Sequence, residues 1–294
     1  MDFHVIKTKQ FPLSDGILGT KKQSDETSKE QKIGIASLPE ENINSKKKRK
    51  VDVLDCTSCE HVNKEGNEEP HNSYLYKNLD LAFPSVKRRS LQWRKIIRNN
   101  LDLDYTLLFP CDVADSLLQV LENELDYFTG DLAKIHIFGK WLDVPRKQVT
   151  YGDPGLTYKY SGIVRPAQPW PQPLEAVRDL LGNVTGYNFN FVLVNRYKDG
   201  SDKMGEHKDD ERDLDSQAPI ASVSLGQARD FYFRHQDTKP PKKLNIEKVL
   251  LQLQHGSLLL MNPPTNQFWY HALPPRKSAP GVRINLTFRK IIPH

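Results

Sequence analysis

The stretch Val282-Arg283-Ile284-Asn285-Leu286-Thr287-Phe288-Arg289 decides how this chain is read. Every even position is apolar and every odd one polar, so one face of a strand packs into a core. The other face presents Arg283, Asn285, Thr287 and Arg289 in a row. An ordinary amphipathic edge strand would alternate in the same way. Two arginines with Asn and Thr between them also match a dicarboxylate, which needs forked donors for its carboxylates and neutral donors alongside. An upstream segment makes a similar switch. Phe189, Phe191 and Leu193 share a face whose next members are Asn195 and Tyr197, both able to donate hydrogen bonds to an anion.

Between these segments lies Gly205-Glu206-His207-Lys208-Asp209-Asp210, which contains a His-x-Asp. In extended chain, residues two apart leave the backbone on the same side. Imidazole and carboxylate together suit ferrous iron, and non-haem oxygenases hold it with two His and one carboxylate on a single face. Alone, this tripeptide is a weak signal that a charged surface turn explains better. The second imidazole comes from His271 in Trp269-Tyr270-His271-Ala272-Leu273, 62 positions after Asp209. His207, Asp209 and His271 are therefore the candidate metal ligands.

The surrounding chain predicts an α+β domain. The apolar set Val113, Leu117, Leu118, Val120, Leu121, Leu125 and Phe128 follows a helical stripe over 112–128, with Asp112 as N-cap. A second helix is predicted from Pro173 to Leu181, with Gly182 at C′. The segments 188–197, 220–226, 229–235, 249–254, 256–262 and 282–290 read as short strands. Helices followed by many strands predict a sandwich or barrel core, with order beginning near Leu91 to Ile97.

Residues 1 to about 88 read instead as a tail, polar and without sustained period. Within it, Lys46-Lys47-Lys48-Arg49-Lys50 is a five-cation cluster of the kind an import receptor binds, which predicts a nuclear protein. The net charge of +5 leans towards an anionic partner such as nucleic acid without deciding it. Three cysteines argue against a disulfide framework and fit a reducing compartment. Cys56 and Cys59 with His61 lack the second pair that a zinc site needs. No apolar run is long enough for a membrane span, and the first residues do not form a secretory signal.

With these residues in hand, the chain resembles the AlkB family of nucleic-acid dealkylating dioxygenases, and within it the nuclear branch that repairs duplex DNA. The similarity covers about 91 to 292. It rests on Asn195-Arg196-Tyr197-Lys198-Asp199-Gly200, on Gly205 to Glu211, and on Arg283 to Arg289, which matches the family's Arg-x-Asn-x-Thr-x-Arg signature. The resemblance implies a double-stranded β-helix (jelly roll) with flanking N-terminal helices, in a dioxygenase domain over 89–294. It implies Fe(II), O2, ascorbate as reductant, and 2-oxoglutarate held by Asn195, Tyr197, Arg283, Thr287 and Arg289, with Asn285 alongside. A nucleotide-recognition hairpin region is expected at about 130–165, in a monomer.

The same resemblance implies oxidative demethylation of 1-methyladenine, 3-methylcytosine and etheno adducts in double-stranded DNA, with release of formaldehyde, succinate and CO2. A base inside a duplex must be flipped out to reach iron. Tyr158 and Tyr160 fall at the stacking pocket, the latter where related enzymes carry Phe, with Asp210 and Glu211 at the base edge. Read alone, Phe138 is a core aromatic. By resemblance it is the wedge that fills the vacated space, with Gly139 and Lys140 beside it. Arg146, Arg276 and Lys277 fall in loops expected to touch the DNA backbone. Phe3-His4-Val5-Ile6-Lys7 is a degraded version of the family's sliding-clamp motif. A demethylase of RNA or single-stranded DNA is the competing reading.

Overall fold

The computed structural model describes residues 83–86, 90–137, 140–160, 163–209 and 211–292, with backbone alone at 136, 137, 159 and 160. The clamp-like motif, the Cys56/Cys59 pair and the basic run 46–50 lie outside the described residues.

Strands are numbered β1 to β15 in chain order, and two sheets dominate. The larger runs β1 (Arg94–Arg98), β2 (Leu101–Leu107), β13 (Ser257–Met261), β10 (Ile220–Gly226), β15 (Arg283–Arg289), β8 (Phe191–Tyr197) and β5 (Lys147–Gly152). The smaller runs β12 (Val249–Leu253), β11 (Arg229–His235), β14 (Trp269–Leu273) and β9 (Met204–His207). Every named pairing is antiparallel. Two separate hairpins complete the strands: β3 (Lys134–Ile137) with β4 (Lys140–Asp143), and β6 (Thr157–Tyr160) with β7 (Ile163–Pro166).

Helices α1 (Cys111–Glu124) and α2 (Gln172–Thr185) cover one face of the larger sheet. Leu117, Leu121, Val177 and Leu181 meet Val192, Val194, Ile284, Leu286 and Phe288 there in one buried cluster. On the opposite face, Leu101, Leu103, Leu259 and Met261 pack against Phe233, Leu251 and Trp269 of the smaller sheet. β15 is thus an inner strand buried along its whole length, which removes the edge-strand reading.

Several expectations about boundaries need correction. β1 and β2, within and just after the expected onset of order, join the larger sheet, and ahead of them a helical turn at 83–86 packs Val86 into the core. α1 is capped by Pro110, and Asp112 sits in its first turn, where its charge meets the positive helix end. α1 stops at Glu124. α2 runs past Gly182 to Gly186, whose φ of 78° makes it the left-handed cap. Leu180 and Leu181 keep the buried stripe going, and Val184 continues it, so the interior Gly182 does not end the helix. A short helix, α3 (Thr265–Phe268), is a single turn before β14.

Candidate active site

His207 ends β9 and His271 lies opposite it in register on β14, so the sheet sets the two imidazoles side by side, 4.3 Å between ring centres. Asp209 follows β9 by two residues. Its Oδ1 lies 3.5 Å from His207 Nε2 and 3.8 Å from His271 Nε2. One ligand atom from each of the three falls within 4.8 Å of the others. His207 Nδ1 donates to the Gly205 carbonyl at 2.9 Å in the neutral tautomer, which leaves Nε2 as the lone-pair end facing the cluster. Burial, with His207 adding to it, pushes His271 down to about 3, so it is a neutral ligand. Burial opposes ionisation of Asp209, but Arg289 beside it holds its carboxyl well below the usual range. Burial disfavours a proton on His207, but the adjoining Asp209 carboxylate more than offsets that and raises its pKa. With that proton displaced by a metal, the cluster offers two imidazoles and one carboxylate, the donor set that suits ferrous iron.

The polar face of β15 meets that of β8 through the register Arg283↔Tyr197, Asn285↔Asn195 and Thr287↔Leu193. Arg283 is 1% exposed, its guanidinium 5.3 Å from the Tyr197 ring centre. It donates to Ser224 Oγ at 2.9 Å, while Nε and Nη1 have no hydrogen-bond partner among the described residues. Burial pulls it down to about 10. Arg289 pairs with Asp209 at 2.9 Å, yet its Nε and Nη1 are likewise unsatisfied. Burial disfavours its charge, and the adjoining Asp209 carboxylate more than offsets that and raises its pKa. Four buried N–H-bearing nitrogens lacking acceptors are costly without a ligand. They match the two carboxylates of a dicarboxylate and can hold one.

The other predicted socket residues divide. Asn195 accepts at its side-chain oxygen from Arg146 Nε and Gln148 Nε2, both at 2.8 Å, leaving its amide as the donor end. Asn285 donates through Nδ2 to Ser222 Oγ and the Val223 carbonyl, both 2.9 Å, so it braces the wall of the cavity that it also lines. Arg146, expected on a DNA-facing loop, turns its Nε into this site. Residues that sequence reasoning missed are Gln148, Ser222 and Ser224. The last two alternate within Ala221-Ser222-Val223-Ser224-Leu225, a faint signal of a second inward polar face. A cavity lined by Asn195, Tyr197, His207, Asp209, Phe231, His271, Thr287 and Arg289 joins the cluster to this socket.

Beside it, Tyr158 is 4% exposed and donates to Glu211 Oε1, with Arg289 5.3 Å from its ring centre. Glu211 Oε2 is buried without a partner among the described residues, an acceptor awaiting a donor. Tyr160 is the last residue of β6, and nothing is described of its side chain. Asp210, Phe138 and Gly139 lie outside the described residues, although Ile137↔Lys140 pairs the strands on either side of 138–139. Lys140 and Lys277 are exposed. Arg276 is not a free cation: Nη1 donates to both Asp230 oxygens at 2.7 Å.

The family model described as the 2OG-Fe(II) oxygenase superfamily matches residues 139–289. The chain belongs to this superfamily. Within it, the chain is a member of the AlkB family, 58% identical over 207 residues to the DNA oxidative demethylase ALKBH2 of Mus musculus, covering 70% of this chain and 86% of that one. The protein of the same name from Bos taurus is 54% identical over 231 residues, 77% of this chain and 82% of its own. The human alpha-ketoglutarate-dependent dioxygenase alkB homolog 3 is more distant, at 36% over 171 residues, 51% of this chain and 59% of its own. This AlkB-family chain is a dioxygenase using Fe(II), 2-oxoglutarate and O2.

Proposed function

We propose that this protein is a DNA oxidative demethylase that removes N-alkyl groups from bases of duplex DNA after flipping them out. One observation carries the reading: a two-His, one-carboxylate cluster beside two buried guanidiniums with unsatisfied N–H groups, opening onto the Tyr158–Glu211 pair. Its relatives at 54–58% identity are named for that activity.

His207, Asp209 and His271 would hold Fe(II). Arg283 and Arg289 would take the two carboxylates of 2-oxoglutarate, with Asn195, Tyr197 and Thr287 as further donors. When bound, the iron with 2-oxoglutarate and O2 supplies the oxidation that frees the alkyl group as an aldehyde, with succinate and CO2 as co-products. The chain's part is to bind, orient and exclude water. Asp209 is fixed by Arg289, so the ligand set is formed before metal arrives. Tyr158 keeps its proton, because burial raises its pKa well above the ordinary value, and stacks on the extruded base. The unpaired Glu211 Oε2 accepts from the base's amino edge.

In this reading the region 130–165 is the nucleotide-recognition part, with Tyr160 and Asp210 in the pocket and Phe138 as wedge. Arg276 and Lys277 grip the backbone. The tail directs the protein to the nucleus through Lys46 to Lys50. Substrates are 1-methyladenine, 3-methylcytosine and etheno adducts, ascorbate keeps the iron reduced, and the protein acts as a monomer.

Mass spectrometry of methylated oligonucleotides, single- and double-stranded, with formaldehyde detection, tests this. Turnover of both forms is expected, with Phe138→Ala losing the duplex reaction selectively. No turnover of either form would overturn the reading.

A further inference from the structure

Arg165 is buried to 1% exposure in β7, directly opposite Tyr158 of β6. Directly paired residues leave a hairpin on the same face, so the guanidinium starts beside the tyrosine. It does not stay in its own hairpin. Nε donates to the Leu132 carbonyl and Nη2 to the Lys134 carbonyl, each at 2.9 Å. Those carbonyls bracket the point where a short 3-10 turn becomes β3. Arg165 therefore joins the root of the β3–β4 hairpin to the β6–β7 hairpin.

Contacts continue from there towards the cluster. Tyr158 has Arg289 5.3 Å from its ring centre, and Arg289 pairs with Asp209 at 2.9 Å. In the other direction β7 is tied to the larger sheet, since Thr150 Oγ donates to the Pro166 carbonyl at 3.0 Å. A two-stranded hairpin is marginal by itself, so the pose of β3–β4 is set by what holds its root. A planar fork that meets two fixed carbonyls imposes direction as well as attachment, which an ammonium cannot do.

We propose that Arg165 is a positioning residue that couples the base pocket to the wedge hairpin. It sets the distance between a base stacked on Tyr158 and the residue filling the gap in the duplex. The inference rests on the base-flipping reading above. It assigns no chemistry to Arg165, which acts through the Leu132 and Lys134 carbonyls.

The test compares Arg165→Lys and Arg165→Gln with the wild-type holoenzyme on one methylated sequence, single- and double-stranded. Misplacing a group by a fraction of an ångström to an ångström is felt strongly in rate, so the duplex-to-single-strand ratio of kcat/KM should fall on the order of tenfold. Glutamine should fall further than lysine, which keeps the charge and one donor. 2-Aminopurine stacked beside the lesion should brighten less at saturating protein, reporting less extrusion. The KM for 2-oxoglutarate should not move. Equal loss on both substrates, or an unmoved ratio and fluorescence, would overturn the coupling. Should the glutamine variant not fold, the lysine variant alone decides between these outcomes. Phe138→Ala, run in parallel, separates the two ideas. If it lowers both substrates equally, the base-flipping reading fails; if it is duplex-selective and the Arg165 variants are not, only the coupling fails.

Discussion

The dicarboxylate socket and the two hairpins beside it are built on opposite principles. The socket lies on inner strands, where β15 is held by β8 over its full length and by β10 from Arg283 to Phe288. Its polar side chains are buried and braced in advance: Asn195 by Arg146 and Gln148, Asn285 by Ser222, Asp209 by Arg289. The hairpins β3–β4 and β6–β7 belong to neither large sheet, and they expose Trp141, Leu142 and Val164. Chemistry that depends on a fixed metal geometry gains from a preorganised frame. A surface that must enter deformed DNA gains from apolar side chains on short strands with few neighbours. The difference locates where a substitution should harm catalysis and where it should harm recognition.

The largest effect expected from breaking the frame is at the metal cluster. His207→Ala should weaken Mn(II) binding, followed by electron paramagnetic resonance, by more than about a hundredfold, since loss of an outer partner alone costs ten- to a hundredfold. Succinate release should vanish with it, while substitutions in either hairpin leave Mn(II) binding alone. Metal affinity that followed the hairpins would erase the contrast.

The two socket arginines sharpen it further. Arg289→Met strands the buried Asp209 carboxylate and should destabilise the metal-free protein by about 3–5 kcal/mol. Arg283→Met removes a buried cation with two unsatisfied nitrogens, so the same measurement should show unchanged or higher stability, by about 1 kcal/mol. Binding of 2-oxoglutarate, measured by calorimetry with Mn(II), should be lost in both. A large loss of Tm in Arg283→Met would mean that the guanidinium is structural.

How legible these regions were in the sequence follows the same line. Strand β15 announced itself because period 2 put polar side chains on what the structure shows to be an inner face. His207 and Asp209 could be paired from spacing alone, but His271 needed a partner strand that no local pattern specifies. Arg165, in Ile163-Val164-Arg165-Pro166, looks like any cation in a short strand. Its burial depends on two carbonyls some thirty residues upstream. Arg146 and Arg276 were expected in loops that touch the DNA backbone, and their partners Asn195 and Asp230, distant in sequence, could not be read from those loops. Pro110 and Gly186, not Asp112 and Gly182, cap the helices, because boundaries are settled by the backbone around them.

The Arg276–Asp230 pair offers a gain instead of a loss. Both partners are well exposed, at 40% and 50%, so the pair itself contributes little stability. Asp230→Asn frees the guanidinium and removes a negative charge from the proposed grip. Affinity for duplex DNA should rise, and the slope of log K against log salt should steepen by about one. Lys277→Ala should flatten the slope by a similar amount. Gly200 fixes the loop behind them, since a Cβ there would lie 1.7 Å from the Arg276 carbonyl oxygen. A slope unmoved by Asp230→Asn would place Arg276 away from the phosphates.

The smallest effect concerns the frame alone. His235 ends β11, packs edge-on against Trp269, and accepts at Nδ1 from the Asp237 N–H at 3.2 Å. Burial lowers its pKa below 6.5, so the folded state favours neutral imidazole. The unfolded chain therefore binds more protons as pH falls through about 6.5, and stability must decline in that direction. The loss also has a local cause, because a protonated Nδ1 becomes a donor and can no longer accept from Asp237. Thermal melts of the metal-loaded protein should show Tm falling between about pH 7 and pH 5.5. Replacing His235 with Asn, which keeps an acceptor and does not titrate, should remove part of that slope. The single-strand to duplex ratio should stay constant across the same pH range, because the histidine lies on the braced side of the molecule and not in the hairpins. A ratio that shifted with this titration would show that the two regions are not as separate as their construction implies.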